Sequence, residues 1–284
     1  MYSFGYFRPS SVEEALTKLN EAPEAKMLAG GQTLLPTMKQ RLARPSDLID
    51  LAGIESLRGI RREGHRIRIG AMVRHSKIAE SSDIRQSLPG LAALAADIGD
   101  PQVRNLGTIG GSVANADPAA DYPAALVALD AIVHTHARDL PADTFFTGMF
   151  ETALDEREII TGISFPLRPL CAYRKFPNPA SRYPLVGVFI ARALNEAGDH
   201  ERVSDAVRVA VTGAGSSVFR VREMEKALCE SFTPEAISEI SVAADDLNSD
   251  IHAGGEYRAH LITVMAMRAV ADIIAARSNP SLVR

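Results

Sequence analysis

Tryptophan is absent from these 284 residues, and cysteine occurs only at Cys171 and Cys229. Without a CxxC or CxH pair, the chain cannot hold an iron–sulfur cluster or a zinc knuckle by itself. The two cysteines could form a disulfide, but they read more plainly as reduced thiols of a cytosolic protein. Basic charge is also scarce. The net charge is −4 and the isoelectric point near 6.0, so no basic field offers itself to nucleic acid. No apolar run approaches the ~20 residues of a membrane span. The start, "MYSFGYFRPSSVEEAL", has no charged leader before an apolar stretch and does not read as a signal peptide. A cytoplasmic location is expected. Internal repeats and low-complexity tracts are missing, which removes solenoid and linker readings.

What is present is an ordinary globular composition, 46% hydrophobic and 23% charged. Residues 1–53 alternate element types. "SSVEEALTKLNE" has hydroxyl caps at Ser10 and Ser11, then Val12, Ala15, Leu16 and Leu19 at helical spacing. "AKMLAG" and "SDLIDL" read as short strands, and "TLLPTMKQR" as a helix with Pro36 in its first turn. Residues 54–169 change pattern. "LRGIRREGHRIRIGAMV" predicts a hairpin around Gly64, "SLPGLAALAADIG" and "YPAALVALD" predict helices, and "AIVHTHA" and "REIITGISFP" predict strands. Residues 170–284 predict strands of a meander at "LVGVFIARAL" and "DAVRVAVTGAG" and three amphipathic helices, one of them over "TPEAISEISVAADDL".

Two stretches have little side-chain bulk: "MLAGGQTLLPTMKQR" and "RNLGTIGGSVANADPAADYPAAL", whose glycine pairs stand about eighty residues apart. Glycines at a strand end let main-chain N–H groups converge on an anion without a Cβ clash. Neither stretch is a Walker loop or a G-x-G-x-x-G fingerprint. Each alone could be a tight turn; together they suit a diphosphate held from two sides, the amides of both sharing the work. On that reading Gly110→Val blocks the phosphate's approach. Asp121 could accept from a ribose hydroxyl or a base nitrogen, or could cap the helix that begins at Tyr122. Asp117, before Pro118, reads as a turn residue. His252, Glu256 and His260 could share a helix face, but Gly254 and Gly255 interrupt it. No Ser/His/Asp order with supporting context stands out, and no catalytic or metal-ligating residue is assigned.

These motifs, with "REIITGISFP" and "YRAHL", resemble the FAD-binding medium subunit of molybdenum hydroxylases. That family includes the medium subunit of aerobic carbon monoxide dehydrogenase and the flavin domain of xanthine dehydrogenase. The resemblance runs from Phe7 to the last helix. It implies an α+β architecture: a two-domain FAD-binding fold of the vanillyl-alcohol oxidase (PCMH) type, followed by a C-terminal domain of a three-stranded antiparallel sheet and helices. It places Ala29, Gly30, Gly31, Gln32 and Thr33 on one diphosphate loop. Thr108, Ile109, Gly110, Gly111 and Ser112 fall on the other, although many relatives carry Asn or Asp where Ser112 stands. Asn115 lies in the same loop and Asp121 falls beside the adenosine. Ile160 packs on the isoalloxazine, and Lys175 approaches the ring. No His or Cys lies in either motif, and His75, in "VRHSKIAES", reads as a solvated helix start, so FAD is expected to be non-covalent.

The family relation further implies a small subunit with [2Fe-2S] clusters, a large molybdopterin subunit, a dimer of heterotrimers, and electrons leaving FAD for an external acceptor. Two other readings stay open: a free-standing FAD oxidase or dehydrogenase, and a non-enzymatic flavin-binding or assembly module.

Overall fold

A computed structural model of the chain describes residues 1–167, 170–193 and 207–278. At the N-terminus, Ser11 Oγ accepts from Glu14 N while Ser10 N donates to the Glu14 carboxylate, a reciprocal cap for the helix Val12–Glu21. That helix and the helix Leu34–Lys39 connect three parallel strands, with Asp47–Asp50 between Gly5–Phe7 and Lys26–Leu28. Pro36 sits in the first turn, where its missing N–H costs nothing.

The next sheet is antiparallel, with strands in the order Ile60–Glu63, Arg66–Gly70, Ile160–Pro166, Ile132–Thr135 and Asp139–Pro141. The expected hairpin turns at Gly64, and a bulge at Thr161 interrupts the pairing just after Ile160. The helices Pro89–Ala96 and Tyr122–Ala128 belong to the core over this sheet. The glycine motif around Gly110 was read as a loop but is helical: Thr108 caps a helix spanning Ile109–Asn115.

The C-terminal sheet has four strands rather than three: Leu170–Pro177, Pro184–Arg192, Val207–Thr212 and a short addition, Phe219–Arg220. The fourth strand brings Arg220 onto Glu225 of the helix Arg222–Glu230, at 2.7 Å. The segment expected to be helical from Thr233 forms only a short 3-10 turn, Pro234–Ile237. Beyond it, Ile240, Val242 and Leu247 pack on the core without a helix, and Ile240 O accepts from Thr263 of the last helix. Tertiary packing outweighs the 3.6-residue pattern there.

The strand Pro184–Arg192 is buried on both faces. Phe189 and Ala191 join the core of the middle unit, while Val186, Val188 and Ile190 face the helix Gly255–Ser278 and its neighbours. The C-terminal sheet therefore shares a core with the middle unit. The last helix is long and apolar enough for a membrane span by composition, with mean hydropathy 1.6 over its best window, but half of that window is buried against the sheet. The expected boundary after residue 169 ends outside the described residues.

Candidate functional site

The strand Lys26–Leu28 runs into Ala29, Gly30 and Gly31, and the helix beginning at Leu34 follows. Gly31 has φ +69°, a left-handed conformation that costs a glycine nothing. Among the described residues, the main-chain N–H groups of Gly31, Gln32 and Thr33 donate to no protein acceptor. An anion needs this: donors not already taken by the protein's own carbonyls.

The second motif behaves differently. Ile109 N donates to Val73 O, Gly110 N to Ala71 O, Gly111 N to Thr108 Oγ1, and Ser112 N to Thr108 O. The first two of those amides hold the helix start against the segment Ala71–Val73, and the other two are spent on Thr108. Only the Thr108 amide is left without a protein acceptor among the described residues. The two motifs do not share the work equally. The first motif leaves three amides without a protein acceptor among the described residues, and the second leaves one. A Cβ on Gly110 would lie 2.6 Å from Ala71 Cβ and 2.7 Å from Ala71 O, inside the protein. The expected effect of Gly110→Val is thus corrected: it acts by forcing the loop off Ala71, not by filling the phosphate's path.

The motifs meet directly. A Cβ on Gly30 would stand 2.4 Å from Leu106 O and 2.6 Å from Gly107 Cα. Two clefts meet at this junction, one of about 890 Å³ and one of about 560 Å³. Both are lined by Ala29, Gly30, Gly31, Met72 and Thr108. Two clefts that share a glycine-lined stretch could receive two arms of one ligand joined by an anionic bridge. The larger cleft adds Arg58, Arg74 and Lys77, which the sequence did not single out. The smaller adds Lys26, Met27, Gln32, Thr33, Gly110, Gly111, Ser112, Asn115 and Ile160. The bulge at Thr161 sets Ile160 at its wall, as bulges often re-aim a residue beside a site.

Ile109 is fully buried and faces the core, away from both clefts. Asp121 and Lys175 also line neither. They contact each other: Lys175 Nζ donates to Asp121 Oδ1 at 3.0 Å and to Asp97 O at 2.7 Å, and Tyr173 Oη donates to Asp121 Oδ1 at 2.8 Å. Asp121 does not cap its helix. Burial pushes its carboxyl up to about 6, against the pull of Lys175 and Tyr173. A pair 3.0 Å apart cannot serve the adenosine end and the flavin end of one extended cofactor. Those two assignments exclude each other.

His75 lines the smaller cleft but is no solvated helix start. It is 4% exposed, its Nδ1 lies 3.1 Å from Tyr122 Oη, and a Cβ on Gly107 would meet its Nε2 at 2.5 Å. Burial, with the Arg104 charge nearby, lowers its pKa to about 4, so it is neutral at pH 7. Glu158, on the same cleft, is held down to about 2 chiefly by hydrogen bonds from Arg138. Asp117 forms the expected turn, accepting from Ala119 N at 2.9 Å. The last helix starts at Gly255, which leaves His252 outside any shared face with His260.

One constellation escaped the sequence. Ser164 Oγ lies 2.8 Å from His134 Nε2, and His134 Nδ1 lies 2.6 Å from Asp139 Oδ1, across three neighbouring strands. The distances match a Ser–His–Asp relay. But Ser164 is 3% exposed, Arg66 Nε donates to its Oγ at 3.1 Å, and neither cleft reaches it. It ties strands together.

Comparison with known proteins bears on this site. Residues 2–168 match the family "FAD binding domain in molybdopterin dehydrogenase", and residues 171–273 match "CO dehydrogenase flavoprotein C-terminal domain". The nicotine 6-hydroxylase medium subunit of Paenarthrobacter nicotinovorans is 37% identical, with 94% of this chain and 96% of that protein covered. The xanthine dehydrogenase FAD-binding subunit of Escherichia coli O157:H7 is 30% identical, with 97% and 98% covered. Carbon monoxide dehydrogenase from Hydrogenophaga pseudoflava, solved without the Mo-pyranopterin moiety of its cofactor, superposes with a TM-score of 0.87 at 34% identity, over 96% of this chain and 98% of that one.

Proposed function

The chain belongs to the FAD-binding medium subunits of molybdenum hydroxylases, and on that premise we propose how its residues serve the complex. It is the flavoprotein subunit of an oxidoreductase that accepts electrons from [2Fe-2S] clusters of a small subunit and passes them on. Molybdopterin and the clusters sit on partner subunits. When bound, FAD supplies a redox centre able to exchange electrons one or two at a time.

The chain's own contribution is binding and electrostatics. The amides of Gly31, Gln32, Thr33 and Thr108 neutralise the diphosphate. A Cβ on Gly111 would sit 3.0 Å from Thr108 Oγ1 and 3.2 Å from Ala29 Cβ, so glycine there keeps the two motifs close together beside the diphosphate. Ala29, Ser112 and Asn115 complete the lining around it, and Ile160 offers an apolar wall to a ring system. FAD is held non-covalently, because the cleft histidine, His75, is buried against Tyr122 and Gly107. The electron acceptor is external, the assembly is a dimer of heterotrimers, and the compartment is the cytoplasm.

The observation that carries this reading is the pair of clefts joined at a waist of unspent amides. Titrating cofactor-stripped full chain with FAD tests it. Stoichiometric quenching of flavin fluorescence is expected, and Gly31→Val, which opposes the positive φ, should abolish it. A chain that takes up no FAD overturns the reading.

A further inference from the structure

Among the described residues, none beyond Ile160 lines either cleft, so the C-terminal sheet touches neither directly. It nevertheless holds one wall. Asp117, Ala119 and Ala120 line the smaller cleft, in a segment between helices that has no regular structure of its own. Gly213 N donates to Pro118 O at 2.9 Å. The fully buried Thr212 has one hydroxyl proton, and its shortest acceptor is Ala120 O at 2.6 Å. Tyr173 and Lys175 close on Asp121 from the same sheet, and Lys175 also ties down Asp97, at the end of the helix Pro89–Ala96.

The grip is anchored from behind. Gly213 has φ +81°, and a Cβ there would lie 2.4 Å from Pro184 O, so only glycine fits. Its carbonyl accepts from Arg258 Nη1 at 3.2 Å. Arg258 is 2% exposed and also donates to Leu185 O and Asp250. This explains the "YRAHL" motif in physical terms: its arginine fixes the turn that holds the wall.

We propose that the C-terminal sheet positions the cofactor cleft without lining it, with Thr212, Gly213, Tyr173 and Lys175 latching the segment 117–121 in its binding shape. These are positioning residues. The latch rests on the FAD reading for its consequence, but its mechanical part stands on this chain alone. Unlatched, the segment keeps only its own Asp117 turn and samples other shapes, and binding then has to select the competent one.

The experiment uses the full chain with Thr212→Val and Lys175→Met. It reads hydrogen exchange of the 115–122 peptide without cofactor and the dissociation constant for FAD. Arg174→Ala is the control: it breaks the Arg174–Asp272 pair, on the same strand as Lys175, without touching the wall. Both latch variants should exchange faster in that peptide and bind FAD about fivefold to tenfold more weakly, the effect of roughly one hydrogen bond. Arg174→Ala should change neither at comparable loss of melting temperature, and Thr212→Ser should restore wild-type values. If Lys175→Met does not fold, Tyr173→Phe replaces it. Unchanged exchange and affinity in Thr212→Val, or equal changes in Arg174→Ala, overturn the latch. A wild-type chain that binds no FAD sinks the FAD reading instead, and the exchange arm still decides the latch.

Discussion

Gly30 stands so close to Gly107 that a single methyl group on the first would lie 2.6 Å from the Cα of the second. This contact joins the two glycine motifs into one waist, and it shows that glycine at position 30 serves packing as much as ligand approach. Gly30→Ala is therefore expected to destabilise the cofactor-free chain. The cost should fall near the top of the ~1–3 kcal/mol usual for overpacking, because the obstacle is backbone. Urea unfolding of the stripped protein measures it; stability equal to wild type would refute the contact.

Gly110→Val should act the same way. Its new side chain meets Ala71 rather than the cleft. Loss of FAD should then accompany a fall in melting temperature of the cofactor-free chain. A variant that loses FAD while keeping its apo stability would restore the simpler blocking account.

Ile160→Ala tests the apolar wall. The residue is 6% exposed and lines the smaller cleft. Truncation should weaken FAD by about 1 kcal/mol, roughly fivefold, if its exposed part meets a ring. Fluorescence titration reads this directly, and an unchanged constant would place the ring systems elsewhere.

Two buried groups give opposite pH dependences. His75 has a folded pKa of about 4, below its unfolded value of about 6.5. The unfolded chain binds more protons between these values, so this contribution is complete above pH ~6.5 and declines toward pH 4. Asp121 is raised to about 6. The folded chain then holds the extra proton, and that contribution is complete below the ordinary carboxylate range and is lost as pH rises through 6. Urea midpoints against pH should show a shallower acid limb for His75→Asn than for wild type, and a smaller loss near pH 6 for Asp121→Asn. Parallel profiles would reject both assignments.

The Ser164–His134–Asp139 array should be chemically silent. With Ser164 shut in and Arg66 on its oxygen, the chain is expected to leave p-nitrophenyl acetate untouched beyond background. Hydrolysis abolished by Ser164→Ala would show that the array opens.

Much of the fold was legible because its signals are local. The Ser11 cap, the Gly64 hairpin and the strand Lys26–Leu28 leading into Gly30 each follow from residues within one turn or one pleat of each other. The region from Thr233 was misread because a helical apolar spacing also suits an irregular strap laid along another helix. The site divides likewise. Glycine pairs suggested an anion-binding waist, but which amides of the second motif remain free depends on the carbonyls of Ala71 and Val73, some forty residues upstream of Gly110.

The sequence by itself determined the two low-bulk motifs and the family resemblance that implies FAD, because missing side chains and helix caps are written residue by residue. Only the tertiary structure decided which amides of the two motifs stay without a protein acceptor among the described residues and that Asp121 is spent on Lys175 and Tyr173. It also decided that the C-terminal sheet holds a wall it never lines. Each is a competition among hydrogen-bond partners, and which partner wins depends on distances that exist only once the sheets have packed together.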